Sequence, residues 1–466
     1  MVVEIRKQRV AVIGSGMAGL TTAMLLNSDR EGRYAVTVFE SDDNPSLDSA
    51  STCVKDSVTG HVSRVDVPMR AFAGGYYDNL RAMYNYLGVR YHAQRFLFCF
   101  SRIPTEDALV VDERIHFVHS SGNHRIPPIR PPKLSTFEYV LETAYLLLWY
   151  SYFSLCCHLV LPLPRRLHAA GESFGEYVRR IHIPDYFLSN YLLPLMSSVA
   201  TCSHQELLGF PASDLTEYKR KTAGAQHYVV SEGVQNVQSK LSKGLDLRLG
   251  VRVVAVEPSA HGVRLRLQIV KGLSDTVTLE AVVDRVVLAV SPAVVAAIFK
   301  PLRDELSRVP TKEVTVIVHT EEPVCSSPSI DASTRSLRAE VIYFRTSHSR
   351  NPHTESRHVQ ASNVLVTTCP AQPVDPTKIV QTSTFTRVLR TPESRHLCDK
   401  IFGPFAKQDG SAQIEGRASW KNGDGGVWLA GGWCWDGMVL LEGCVISAMR
   451  IAHQFGVEVP WESSGR

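Results

Sequence analysis

Residues 10–40 constrain this chain more than any other stretch. Arg9-Val10-Ala11-Val12-Ile13 is a short apolar run of the kind that forms a strand buried on both faces. It passes directly into Gly14-Ser15-Gly16-Met17-Ala18-Gly19, and then into Leu20-Thr21-Thr22-Ala23-Met24-Leu25-Leu26, which is rich in helix formers. In such a unit Gly14 permits the tight turn, Gly16 lets backbone approach a pyrophosphate, and Gly19 lets the helix pack close to the strand. The helix start offers unpaired N–H groups and the positive end of its dipole to phosphate. A second apolar run, Ala35-Val36-Thr37-Val38-Phe39, ends on Glu40. That places an acid about 20 residues after the glycines, where a carboxylate accepts hydrogen bonds from an adenosine ribose and repels a 2′-phosphate. NADP is thereby disfavoured. Strand, glycines, helix, second strand and acid in one register predict a dinucleotide site, whereas the glycines alone would describe only a turn.

At 466 residues the chain is too long for one compact core, which implies two interleaved or consecutive domains. Its 50 Lys and Arg against 46 Asp and Glu leave a net charge of +4 spread along the chain, so no nucleic-acid surface is expected. Ten cysteines include no CxxC pair, Cys156 and Cys157 being the only neighbours. Residues 1–7 are mixed and charged, unlike a signal peptide, and residues 461–466 carry no lipidation or peroxisomal signal. A reducing cytoplasmic setting without a metal centre is the expectation.

From about residue 90 to 221 the character changes. Strand-like Arg95-Phe96-Leu97-Phe98-Cys99-Phe100 precedes a proline-rich connector at 126–132, and helical segments follow, separated by Pro162, Pro164, Pro184, Pro194 and Pro211. Residues 143–164 contain no Asp, Glu, Lys or Arg, which is long enough for a membrane span. A single crossing would put the two ends of the chain, both needed for the cofactor, on opposite sides of a bilayer. Two readings remain: a helix buried under the substrate region, or a face that dips into a membrane, with Arg165-Arg166 beside anionic headgroups.

Beyond residue 221 the α/β pattern returns. Strands are expected at 247–257 and 263–269 around His261-Gly262, at 286–290 before Ser291-Pro292, and in a second sheet at 313–319, 339–344 and 384–389. Residues 345–358 read as a polar loop holding His348, His353 and His358, whose irregular spacing does not suggest a metal site. Gly423-Asp424-Gly425-Gly426 leads into a strand instead of a helix, so no built-in NAD(P)H site is expected.

Near the carboxyl end, Val427-Trp428-Leu429-Ala430 closes on Gly431-Gly432, turns through Trp433-Cys434-Trp435-Asp436-Gly437 and continues into a helix-like 438–452. This second strand–glycine–helix unit is accounted for by one long ligand gripped at both ends, with a ring system at the later helix start. A helix amino terminus there would stabilise negative charge on a reduced isoalloxazine.

The front fingerprint, Glu232-Gly233 before a helix, Leu288-Ala289-Val290-Ser291-Pro292 and Glu442-Gly443-Cys444-Val445-Ile446-Ser447-Ala448 together resemble the FAD-dependent amine oxidase and phytoene desaturase superfamily. Val65-Asp66-Val67-Pro68-Met69-Arg70 and residues 191–211 resemble its predicted NAD/FAD-binding oxidoreductase branch, whose relatives include flavoproteins near fatty-acid-modifying enzymes. The resemblance spans nearly the whole chain. It implies an α/β fold in which a Rossmann-like, GR2-type FAD-binding domain (1–75, 223–300 and 405–466) interleaves with a mixed-sheet and helical substrate domain (76–222 and 301–404). It also implies that Gly14, Gly16, Met17, Ala18, Gly19, Glu40 and Ser41 hold the adenosine and pyrophosphate of FAD, with Val253 on the adenine side. Met69 and Arg70 would lie near the flavin or its phosphates, and Gly432, Trp433, Asp436, Met438 and Val439 along the ribityl chain and ring. Two departures leave an amine substrate unassigned. Ser41-Asp42-Asp43-Asn44-Pro45 stands where amine oxidases carry Gly-Gly-Arg, and Leu440-Leu441-Glu442-Gly443 replaces the branch's His-Glu-Asp-Gly. Cys398 lies loosely where some members tether flavin, without the surrounding glycine motif.

The leading expectation is an FAD-dependent oxidoreductase that takes hydride from a lipophilic small molecule and is reoxidised by oxygen or another acceptor. The alternatives are a flavin-dependent double-bond isomerase or cyclase and a lipid-carrying module on the same fold. No catalytic acid or base is assignable from these residues.

Overall fold

The front apolar runs form strands β1 (Gln8–Ile13) and β2 (Tyr34–Phe39), joined by helix α1 (Met17–Asn27). The computed structural model describes residues 6–55, 60, 62–68, 71–104, 115–120, 129–131, 134–164, 171–271, 275–321, 339–360, 364–403 and 420–462. Segments distant in sequence, β3 (Asp246–Arg248), β4 (Arg285–Leu288) and β5 (Val427–Leu429), complete a parallel sheet in the order β3-β2-β1-β4-β5. Alternation along β1 explains its unbroken hydrophobicity. Val10 and Val12 join the core on the α1 side, while Ala11 and Ile13 pack with Val253, Val263 and Leu265 of a three-stranded antiparallel sheet on the other side. Each such valine or isoleucine, fully buried, contributes about 1.5–3 kcal/mol.

A seven-stranded mixed sheet lies against this unit. Its order is Ile379–Val388, Thr311–His319, Leu365–Thr368, His353–Val359, Ala339–Ser347, Arg95–Arg102 and Ile115–Ser120. The expected polar loop at 345–358 is therefore corrected: most of it is the paired ends of two strands, with Ile342 opposite His358 and Ser347 opposite His353. The hydropathy pattern failed there because the strands bury charge. Glu355 accepts from Arg345 and Arg357 and, at 2.8 Å, from the Ala371 N–H, and all three charged side chains are buried. Burial pushes the Glu355 carboxyl up, but the two guanidiniums prevail and hold it below its ordinary range. Ion pairs satisfied in this way alternate along a strand as apolar residues would.

Helix α2 (Thr136–Leu159) roofs the opposite side. It begins with a capping box, the Ser135 side chain accepting from the Glu138 N–H at 3.2 Å and Glu138 accepting from the Ser135 N–H at 2.9 Å. The helix ends at Val160, before Pro162 and Pro164. Leu146, Phe153, Cys156 and Cys157 are buried, whereas Phe137, Val140, Leu141, Leu147, Leu148, Leu155 and Leu159 are exposed. The helix is thus not enclosed beneath the substrate region. Shorter helices, Phe174–Arg180, Leu193–Ala200 and Ala212–Thr222, complete this layer, and helix α3 (Leu441–Gln454) packs alongside α1.

Candidate functional site

The turn between β1 and α1 is built as the glycine spacing requires. Gly14 has φ +99°, and a Cβ there would stand 2.7 Å from the Ala289 carbonyl oxygen, at the end of β4. A Cβ at Gly19 would fall 2.0 Å from the Gly14 oxygen. Gly16 differs: its nearest neighbour would be Ser46 Oγ at 3.8 Å, so the space it leaves is open. Gly16 also caps α1, which has no side-chain cap and no acid in its first turn. The first N–H groups of α1 and the gap over Gly16 thus fit a dinucleotide phosphate, the group that would be approached there.

Glu40, at the end of β2, is 6% exposed and accepts hydrogen bonds from the Ser15 N–H at 3.0 Å and Ser15 Oγ at 2.5 Å. Ser41 Oγ and the Asp42 N–H reach its other oxygen at 3.1 and 3.3 Å. Burial raises the carboxyl's pKa, but these donors outweigh it and hold Glu40 below the usual carboxylate range. It therefore stays charged at neutral pH. Val253 lies buried on Val251–Ser259, the strand whose first N–H donates to the Glu40 carbonyl at 2.8 Å, and the strand register shifts just after it.

A cavity of about 1450 Å³ runs from this turn between the two sheets. Gly16, Met17 and Ala18 line its front end, with Pro68 and Ala289 to Ser291. Gly431, Gly432, Trp433, Val439, Leu440, Leu441 and Cys444 line it where the carboxyl-terminal turn meets α3. The far wall is one face of the seven-stranded sheet: Phe96, Phe98 and Phe100 alternate on one strand, facing inward with Phe117, Ile342 and Phe344. Tyr150, Tyr191 and the inner side of α2 close it.

The structure thus brings Gly16, Met17, Ala18, Gly432, Trp433 and Val439 to one cavity, with Gly14 and Gly19 shaping the turn behind it. Glu40, Ser41 and Val253 cluster beyond its front end. Met69 and Arg70 lie outside the described residues. Asp436 does not line the cavity; it pairs with Arg450 at 3.5 Å. Met438 does not either, being 1% exposed, with its N–H donating to the Tyr76 hydroxyl at 3.0 Å. Between Trp433 and Val439 the side chains of Cys434, Trp435 and Met438 are buried while Asp436 stays 34% exposed, and the backbone there is held from below.

Arg390 does that holding, and nothing in the sequence pointed to it. It is 1% exposed, and its guanidinium donates to the carbonyls of Trp433, Trp435 and Gly437 at 3.1, 2.8 and 3.3 Å. All three carbonyls converge on one terminal nitrogen, Nη2, and share its two N–H groups, while Nη1 donates to Cys398 Sγ at 3.5 Å. Cys398 is buried under the same turn, its thiol donating to the Trp433 carbonyl at 3.3 Å, and it does not line the cavity. Glu442 is likewise spoken for: it accepts from the Asn79 N–H and Nδ2 and from the Leu80 N–H at 2.7–3.0 Å, capping the helix Asp78–Tyr86. Helix α3 itself has no side-chain cap, and its start at Leu440 and Leu441 faces the cavity.

His358, read as part of a solvated loop, is buried and lines the sheet wall. Its Nε2 pairs with Glu340 at 2.7 Å, and Gln360 Nε2 lies 2.7 Å from its Nδ1, so both ring nitrogens are engaged. Among the described residues no group of three or more His, Cys, Asp or Glu side chains forms a metal-binding cluster.

Two glycine turns facing one cavity, between a parallel nucleotide-binding sheet and a mixed sheet, define a Rossmann-type flavoprotein. The family comparisons agree. Residues 12–87 match the NAD(P)-binding Rossmann-like domain and residues 78–454 match the flavin containing amine oxidoreductase family, so the chain belongs to that family. It is an FAD-dependent oxidoreductase. Its fold is similar to that of cyclohexylamine oxidase from Brevibacterium oxydans IH-35A, with TM-score 0.56 and 12% identity over 97% of this chain and 100% of that one. It is also similar to a triple mutant of putrescine oxidase redesigned in its cofactor binding, with TM-score 0.56 and 11% identity over 96% and 98%. No curated protein sequence matches.

Proposed function

We propose that the chain oxidises a lipophilic small molecule, is reoxidised by oxygen or another acceptor, and works in the cytoplasm in peripheral contact with a membrane. FAD, when bound, supplies the two-electron chemistry by accepting hydride. The observation that carries the substrate class is the continuous apolar cavity. The same space lined by Gly16 and Gly432 is walled by Phe96, Phe98, Phe100, Phe117 and Phe344.

The aromatic residues bind and orient; the lining groups that could hold or move a proton include His119, His158, His227, His358 and Lys219. The aromatic wall excludes water and holds an apolar carbon skeleton by surface burial. His358, fixed by Glu340 and Gln360, provides a polar landmark on that wall. Burial pushes the hydroxyls of Tyr77, Tyr191 and Tyr218 well above the ordinary tyrosine range, so they remain neutral hydrogen-bonding groups.

The test is to purify the yellow holoenzyme, identify the released cofactor, and screen apolar amines, alcohols and unsaturated lipids for anaerobic bleaching. A product two mass units lighter than its substrate is expected. Flavin-dependent conversion with unchanged product mass would replace this reading with isomerisation.

A further inference from the structure

The lip of the cavity and the most exposed apolar surface near it belong to the same helix. On α2, Leu147, Ser151, Leu155 and His158 line the cavity and are exposed to solvent at the same time, Leu147 at 63% and Leu155 at 55%. Their spacing of three or four residues makes them one stripe along the helix. The adjoining stripe, including Phe137, Leu141, Leu148 and Leu159, is 61–77% exposed and does not line the cavity.

We infer that this face of α2 lies in the interfacial layer of an anionic lipid bilayer, so that the cavity opens into lipid and substrate enters without crossing water. The inference deepens the proposed membrane contact by naming the face that docks, and it rests on the lipophilic-substrate reading for what enters. Three observations favour lipid over another occupant. Residues 143–164 contain no Asp, Glu, Lys or Arg, as a segment in the acyl region requires. Two half-buried cations stand against the same half of the helix: Lys219, which lines the cavity 4.2 Å from the Tyr150 ring centre, and Arg220, which donates to the Cys157 carbonyl at 3.2 Å. Neither forms a salt bridge among the described residues, which leaves positive charge beside this part of the helix, where the cavity meets the exposed face. Finally, the exposed face meets the cavity through Leu147 and Leu155, with Ser151 and His158 as the polar groups at the lip, and a bilayer supplies both the cover and a dissolved apolar substrate.

The experiment uses the full-length holoenzyme and vesicles of phosphatidylcholine with or without phosphatidylglycerol. The wild type is expected to sediment with the anionic vesicles, less so in high salt. Brominated lipid should quench its tryptophan emission, and the quenching should shrink in Trp149→Phe. Leu141→Glu, Leu148→Glu and Leu159→Glu should each weaken vesicle binding by about tenfold or more. These variants should keep wild-type flavin content and melting temperature, which separates lost docking from misfolding. A wild type that stays in the supernatant with both vesicles, or variants that sediment like the wild type, would overturn the inference. So would a stable dimer dissociated by Leu148→Glu, which would assign the face to a second copy. Vesicle binding is scored without turnover, so it can fail while the substrate reading stands, and the reverse.

Discussion

Gly16 and Gly19 occupy the same short turn, yet the structure assigns them opposite reasons for being glycine, and alanine at each should fail differently. At Gly19 the new Cβ would sit 2.0 Å from the Gly14 oxygen, 1 Å inside the 3.0 Å that Cβ atoms keep from their neighbours. The oxygen belongs to backbone that cannot swing aside, so overpacking of about 1–3 kcal/mol or more is expected in the apoprotein itself. At Gly16 the Cβ meets nothing nearer than 3.8 Å, and φ is −69°, which alanine adopts freely. The apoprotein should lose about 1 kcal/mol or less, from a poorer helix cap. What alanine would meet there is the approaching pyrophosphate. An interference of about 1–3 kcal/mol weakens FAD roughly 5- to 150-fold. The assay is the melting of stripped protein with and without added FAD. At a hundredfold excess over Kd, FAD stabilises by about 2.7 kcal/mol, and a hundredfold weaker variant retains only about 0.4 kcal/mol. Gly16→Ala should therefore melt normally when stripped and gain little from FAD, whereas Gly19→Ala should melt early in both states. A Gly16→Ala protein with the full FAD gain, or a stripped Gly19→Ala protein as stable as the wild type, would refute the assignment.

Three further outcomes are expected. Arg390→Met removes the donors to three buried carbonyls, each unsatisfied group costing about 1–3 kcal/mol, so differential scanning should show marked destabilisation with loss of flavin. Because Glu40 is held below the ordinary carboxyl value of 4.5, its contribution is present above that pH and is lost as pH falls through the lowered folded value; an acid-stability profile of Glu40→Gln should lack that part of the decline. With Cys398 buried beneath the turn and away from the cavity, acid precipitation should release all flavin into the supernatant, in the wild type as in Cys398→Ser.

The sequence by itself determined the nucleotide-binding unit, because there each requirement is local. A strand, a turn of fixed backbone shape, a helix start and an acid at the end of the next strand are all specified within residues 10–40, and the carboxyl-terminal glycine turn repeats that economy. Only the tertiary structure decided which side chains near the second turn reach the cavity. Arg390 lies 43 residues from Trp433 in sequence and holds its carbonyl, so the course of the turn that carries Asp436 and Met438 away from the cavity depends on a contact that no local pattern encodes. The strand at His353–Val359 was hidden for a related reason: Arg345, Glu355 and Arg357 are buried only because they neutralise one another, and hydropathy reads each as solvent-facing. For residues 143–164 the sequence showed an uncharged helix long enough to span a bilayer, but burial is a property of neighbours. It took the packed layers to show one stripe of α2 at the cavity lip and the next facing outward.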